Sequence, residues 1–272
     1  RSAEKMSPMF GSGPCLLKGQ KIVNVFFETD IEVIKTVLPP PLEACEDAPY
    51  GILYGGEFAS TNCGTGYREM ALCVNASYKG VVGSYVVSIP VDGDMGMVTY
   101  RDVIGYPKKM ADIITTFTDD HAYCRAARHG IDFCEIEADF NGIPNDPEGF
   151  MAAMGVIGQA NDEEGYGRSY SFKFQPSAIT DGFEYLPRLY CIKNIKFENA
   201  APKIGSAKIT LRPSPNDPMA EFPVKKVLGC VITYTDHELY KTKTELLCEV
   251  PEEQFKPYAF NSYDYPPILF RE

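Results

Sequence analysis

Apolar positions along the chain come in short runs, and their spacing changes from one segment to the next. Lys21 to Phe27 is rich in β-branched and aromatic residues and predicts a strand. Behind it, Ile31, Ile34, Val37 and Leu38 recur at helical spacing before Pro39-Pro40-Pro41 stops the pattern. Thr29 and Glu32 have the form of a capping box at the start of that helix. Glu69 to Pro90 is punctuated by Gly80 and Gly83 and reads as a hairpin turning near Tyr78-Lys79-Gly80. Asp94 to Ile104 suits a short helix with Asp94 as N-cap and Gly105 as its stop, after which Tyr106-Pro107 restarts an extended segment.

Ala111 to Phe117 fits a helix or a strand, whereas Asp132 to Asn141 alternates as a strand does. The second half reads as four further strands, Ser169–Gln175, Leu189–Phe197, Ser206–Leu211 and Val227–Tyr234, separated by Pro and Gly loops. With no regular strand-helix alternation, the pattern predicts one β-rich α+β domain over residues 1–272 rather than a doubly wound sheet.

Composition narrows the function. The chain carries 26 Lys and Arg against 37 Asp and Glu, a formal net charge of −11, which argues against phosphate-backbone partners and hence against nucleic acid. Its apolar runs fall well short of the roughly 20 residues a membrane-spanning helix requires. No basic segment followed by an apolar core stands at the N-terminus, so the expected compartment is the cytosol. The nine Cys are widely spaced with no C-x-x-C and are expected to be reduced, mostly buried thiols. Asn75-Ala76-Ser77 is read as a chance glycosylation sequon. His121, His129 and His237 lack metal-ligand spacing, and no metal or cofactor is expected. Gly11-Ser12-Gly13 and Gly165-Tyr166-Gly167 lack the strand-turn-helix setting of a phosphate loop and are read as turns.

Lysine is the remaining candidate for chemistry, since a neutral lysine can attack a carbonyl and form an imine. Two Lys-Lys pairs occur, Lys108-Lys109 behind Tyr106-Pro107 and Lys225-Lys226 behind Pro223-Val224. An arbitrary pair of this kind is most simply a solvated strand end.

The stretch Tyr100-Arg101-Asp102-Val103-Ile104-Gly105-Tyr106-Pro107-Lys108-Lys109 resembles the signature of the acetoacetate decarboxylase family. Similar blocks occur in the same order at Asn24 to Glu43, Gly66 to Glu69, Lys79 to Tyr85 and Phe222 to Val227. The resemblance implies a cone-like β-barrel of mostly antiparallel strands with flanking helices, assembled as a homo-oligomer and acting on a small-molecule carbonyl substrate. It makes Lys108 the Schiff-base lysine, Lys109 its cationic neighbour, Glu69 a pocket glutamate, and Arg101 and Tyr106 residues that line or brace the site.

The likeness has departures. Gln20 aligns with a family arginine, and a neutral amide cannot match a guanidinium's charge against a carboxylate. Tyr54 aligns with a family glutamate, with Glu57 close enough to take its place across a gap, and Asp102 replaces the glutamate after Arg101. These changes point to a conserved kind of nucleophile with a different substrate.

Energy decides how Lys108 could be activated. At pH 7 a lysine with a pKa of about 10.4 is neutral in roughly one molecule in 2,500, and lowering that pKa to about 7 takes roughly 4 to 5 kcal/mol. Consecutive residues on an extended segment face opposite ways, so Lys109 is expected to point away from Lys108 and burial to do most of the work. The expected activity is imine chemistry on a small oxo acid, foremost decarboxylation of a 3-oxo acid. The alternatives are an imine-dependent aldolase, dehydratase or cyclase, and a barrel that binds a small ligand without turnover. For Glu69 the competing reading is a structural ion pair, with Arg101 as the candidate partner.

Overall fold

The structure, a computed structural model, describes residues 15–62, 64–239 and 243–262. Gly11-Ser12-Gly13 and Cys63 lie outside the described residues. In chain order the elements begin with β1 (Cys15–Glu28), α1 (Ile31–Val37), β2 (Glu43–Ala44), β3 (Tyr50–Thr61), β4 (Tyr67–Tyr78) and β5 (Val81–Val91). Next come α2 (Asp94–Ile104), β6 (Lys108–Met110), β7 (Asp112–Phe117), β8 (His121–Arg128) and β9 (Ile131–Asp139). The rest are α3 (Pro147–Gln159), β10 (Gly167–Lys173), β11 (Arg188–Leu211), β12 (Lys226–Leu239), β13 (Glu245–Glu249) and α4 (Glu252–Phe255).

Hydrogen bonding runs in the order β10-β5-β4-β3-β1-β12-β11, and β10 also pairs β11, which closes seven strands into a ring. The pairing is mostly antiparallel; β5 runs parallel to both β10 and β6. The architecture is therefore α+β and ring-like, without the regularity of an ideal barrel. The second half of β11 leaves the ring and pairs β9, which continues through β8 to β7 as a second sheet.

Strand alternation gives the ring two faces. Outward-facing Val23, Val25, Leu53, Met70, Leu72 and Val74 pack with Cys124, Phe133 and Ile136 of the second sheet in the largest buried cluster. The inward face carries a smaller cluster that includes Leu17, Ile22, Phe58, Tyr67, Val91, Tyr100 and Ile192. Helix α3 packs on the ring through Phe150, whose ring meets Phe26 edge-on at 5.6 Å.

Several expectations are refined. The first helix starts where predicted, but its cap is Asp30, whose carboxylate accepts from the Glu32 amide at 3.1 Å. Thr29 is instead buried, with its own amide donated to Pro49 O. The cap of α2 is Gly93; Asp94 is already helical and its carboxylate accepts from the amide of Met95. The β4–β5 hairpin turns at Lys79 and Gly80, both with positive φ. Ala111 to Phe117 resolves as the strand β7.

The two strands expected between Leu189 and Leu211 are one 24-residue strand. Its polar middle hides the continuity, and β12 follows it through two register shifts, the second spanning Pro202. Helix α3 was not expected, because Gly149, Gly155 and Gly158 lower its propensity; burial of Phe150 and Ala153 supplies what propensity lacks. Asn75 is 2% exposed, so its sequon lies in the interior. Lys225 and Lys226 pair with Asp30 and Asp146 at half-exposed positions, the bland outcome for a Lys-Lys pair.

Candidate active site

Glu69 reaches the lumen because β4 alternates: Tyr67, Glu69, Ala71 and Cys73 share the inward face. Gly56 stands opposite Glu69 on β3, where a Cβ would press on Ile22 of the inward cluster. Lys108 arrives by another route. Helix α2 ends at Gly105 in the left-handed region, φ 81°, where a Cβ would also run into the carbonyl of Phe172. After this tight passage the chain turns through Tyr106-Pro107, and β6 lies parallel to β5 with Lys108 beside Ile89.

Lys108 is 2% exposed. Its ammonium lies 2.5 Å from Glu69 Oε2, and a longer hydrogen bond of 3.4 Å runs to the Tyr67 hydroxyl. Aromatic faces flank it, with the Tyr67 centroid at 4.8 Å and the Tyr100 centroid at 4.3 Å. The Tyr54 hydroxyl donates to the other Glu69 oxygen at 2.5 Å, and Cys15 Sγ meets the Tyr100 hydroxyl at 2.9 Å. Lysine, carboxylate and phenol thus form one chain: Lys108, Glu69, Tyr54.

Burial is the largest influence on Lys108 and lowers its pKa; Glu69 opposes that shift by stabilising the ammonium. Burial and the Glu69 charge hold the Tyr54 and Tyr67 hydroxyls protonated, well above the usual phenol range. The site therefore places an amine with a weakened hold on its proton beside an acceptor and two phenolic donors.

Adjacent lysines part company on β6. Lys109 is also buried, but its Nζ donates to Asn216 O at 3.0 Å and its charge acts on Asp217, whose carboxylate accepts from Ser88 Oγ at 2.6 Å. Lys109 is not among the groups that shift Lys108.

Arg101 does not partner Glu69: it pairs with Asp102 at 3.1 Å and donates to Met97 Sδ, bracing its own helix. The ion pair of Glu69 is made with Lys108 instead. Gln20 is buried on the lumen side, its amide donating to Leu17 O and accepting from Thr235, both at 3.4 Å. Glu57 cannot stand in for Tyr54, because it lies an odd number of residues along β3 and pairs outward with Lys21 at 2.9 Å. Burial raises the pKa of Tyr106, which packs against the cluster of Ala71, Cys73, Val86 and Ile89 on the inward face.

Tyr67 and Tyr100 lie within the stretches that resemble the family but were given no role of their own, and Cys15 was read only as one of the scattered thiols. For Tyr67 a signal existed, since it lies two residues before Glu69 on the same strand face. Tyr100 lies eight residues before Lys108, on α2, whereas Cys15 is brought in by β1 from a segment remote in sequence.

Residues 3–246 match the acetoacetate decarboxylase (ADC) family, and the chain belongs to it. It is 23% identical over 233 residues to an acetoacetate decarboxylase of Clostridium beijerinckii, covering 85% of this chain and 87% of that one. It is also 24% identical over 227 residues to the CLA biosynthesis isomerase of Lactiplantibacillus plantarum, covering 81% and 79%. A crystal structure of acetoacetate decarboxylase from Legionella pneumophila superposes with a TM-score of 0.73 at 18% identity, covering 89% of this chain and 90% of that one. The family thus includes relatives of more than one activity on the same fold.

Proposed function

We propose that the protein is a Schiff-base enzyme in which Lys108 condenses with the carbonyl of an oxo acid, and that its reaction is decarboxylation of a 3-oxo acid. The observation that carries this reading is the buried Lys108–Glu69 pair, held between two tyrosine faces, with Tyr54 on the second carboxylate oxygen.

Neutral Lys108 attacks the C3 carbonyl, its excess proton passing to Glu69. That proton goes on to the carbinolamine oxygen, and a second, the one Glu69 took from the resting Lys108 ammonium before the attack, converts the resulting hydroxyl to water, which leaves and generates the iminium. The C1–C2 bond then breaks, its electron pair moves toward the iminium nitrogen, and carbon dioxide departs as an enamine forms. Glu69, resupplied with a proton through Tyr54, is placed to protonate C2; water then hydrolyses the imine and frees the lysine. Nitrogen is positive in the resting ammonium and again in the iminium, so Glu69 and the two ring faces serve both states.

Gln20 favours a second reading. With neutral Gln20 where the family carries arginine, the same imine can direct aldol, dehydration or isomerisation chemistry, as relatives of differing activity allow. Borohydride reduction in the presence of 3-oxo acids, followed by peptide mass spectrometry, is expected to leave a stable adduct on Lys108 that is absent in Lys108→Ala. No adduct across a broad oxo-acid panel would refute imine chemistry. Release of carbon dioxide separates decarboxylation from the second reading.

A further inference from the structure

Three tyrosines bond or face the Lys108–Glu69 pair, and their hydroxyls are committed differently. The Tyr54 hydroxyl donates to Glu69 Oε1 at 2.5 Å. The Tyr100 hydroxyl shares a proton with Cys15 Sγ at 2.9 Å. The Tyr67 hydroxyl accepts from Lys108 Nζ at 3.4 Å, and among the described residues nothing takes its own proton. The two tyrosines beside the ammonium also differ in aspect. Tyr100 presents its ring, with the centroid 4.3 Å from Nζ. Tyr67 presents its hydroxyl end, since Nζ is 3.4 Å from the oxygen and 4.8 Å from the ring centre. An uncommitted O–H therefore stands at the nitrogen that forms the bond to carbon.

That hydroxyl is held firmly. Tyr67 is 6% exposed, and its ring stacks on Phe58 at 4.7 Å with the planes 24° apart. Helix α2 presses so close that a Cβ at Gly96 would come 3.0 Å from the ring. Glycine inside a helix weakens it, and here the space it leaves is taken up by Tyr67. Next along β4, Arg68 donates its amide to Asp92 Oδ1 at 2.6 Å and accepts from the Asp92 amide at 3.0 Å, which pins the backbone. Burial and the Glu69 charge keep the phenol protonated. A donor held in this way needs no reorganisation when charge appears on its acceptor.

Attack by neutral Lys108 supplies such a charge. The nitrogen lone pair forms the carbon–nitrogen bond, and the carbonyl π pair moves onto oxygen. That oxygen is two bonds from Nζ, so a hydroxyl already 3.4 Å from Nζ is within reach of the about 2.7–3.1 Å that an oxyanion donor requires. Glu69 cannot take this part. Ionised, it only accepts; protonated, it supplies the protons that turn the oxygen into water.

We propose that Tyr67 is a further catalytic residue, whose hydroxyl donates to the oxygen of the condensing carbonyl and, in reverse, positions the water that hydrolyses the product imine. The inference rests on the Schiff-base reading and deepens it. Tyr67 keeps its proton throughout, so the proton count of the steps through Glu69 is unchanged. It acts where the carbon–oxygen bond is broken and remade, and not on the loss of carbon dioxide.

The test is exchange of oxygen between water and acetone labelled with the heavy oxygen isotope, on the full chain. Each exchange passes through the carbinolamine and needs no carboxylate. Tyr67→Phe removes the hydroxyl but keeps the ring and its stack on Phe58. It is expected to exchange about 10²- to 10³-fold more slowly than wild type, the usual loss of an oxyanion donor. Its midpoint of pH-dependent reductive trapping should not move, because burial and Glu69 govern Lys108, and an unmoved midpoint also shows that this end of the ring is folded. Tyr67→Leu should slow exchange at least as much and also carry the midpoint to lower pH, since the ammonium loses an aromatic face. Exchange by Tyr67→Phe at or near the wild-type rate would overturn the proposal while leaving imine chemistry intact. So would slow exchange accompanied by the midpoint shift of Tyr67→Leu, the mark of a displaced lysine rather than a missing donor. Wild-type exchange no faster than that of Lys108→Ala would instead overturn the reading beneath it.

Discussion

The two faces of β4 are made by alternate residues of one strand and have opposite characters. Met70, Leu72 and Val74 point outward into the apolar cluster shared with the second sheet, each fully buried. Tyr67, Glu69 and Cys73 point into the lumen, where the neighbours include phenols, a thiol and an ammonium. Ordinarily a ring of strands of this size fills its interior with side chains and exposes its outside. Here the second sheet covers part of the outer face, so much of the apolar burial sits outside the ring. The interior is then available for groups that are costly to bury, provided they pair. Stability and chemistry are thereby assigned to different sides of the same backbone.

The sharpest way to break this division is to remove the lumen carboxylate. Glu69→Gln is expected to lower turnover by about 10²- to 10⁴-fold, the usual cost of losing a positioned acid-base group. Because Glu69 raises the Lys108 pKa against burial, its removal should also move the midpoint of pH-dependent reductive trapping to lower pH. An upward shift in that midpoint would mean that Glu69 does not stabilise the ammonium. Leu72→Ala tests the other face. It should destabilise the protein by about 2–5 kcal/mol in denaturant titration while leaving turnover per folded molecule unchanged. Loss of turnover at unaltered stability would show that the two faces are coupled.

What was readable in the sequence follows the same division. The Lys108 segment was legible because Gly105, Pro107 and the paired lysines are local features, and the alternation rule separated Lys108 from Lys109 before any contact was known. Strands with clean apolar patterns, such as Lys21 to Phe27, were also legible. By contrast β3, with its glycines at 51, 55 and 56, has a weak pattern, and those glycines make sense only against Phe27, Cys124 and Ile22 on neighbouring strands. Ring closure was hidden altogether, since β10 must find both β5 and β11 across long separations. Arg101, expected to line or brace the site, pairs with its neighbour Asp102 on α2, a local contact that the resemblance alone does not specify.

The smallest expected effect concerns the two faces of β6. Lys109→Met removes the charge acting on buried Asp217 and the donor to Asn216 O, on the side of the strand away from Lys108. The loss should destabilise the fold by about 1–3 kcal/mol, the cost of leaving a buried polar partner unsatisfied. Burial pushes the Asp217 carboxyl up and Lys109 opposes that shift, so its pKa should rise further in the variant. If Lys109 acted instead as the cation that activates Lys108, removing it would raise the Lys108 pKa and carry the trapping midpoint to higher pH. The geometry predicts no measurable movement of that midpoint, because desolvation and Glu69 govern Lys108. Comparing the trapping midpoint with the denaturation midpoint in one variant therefore tells whether neighbouring lysines share a function or merely a strand.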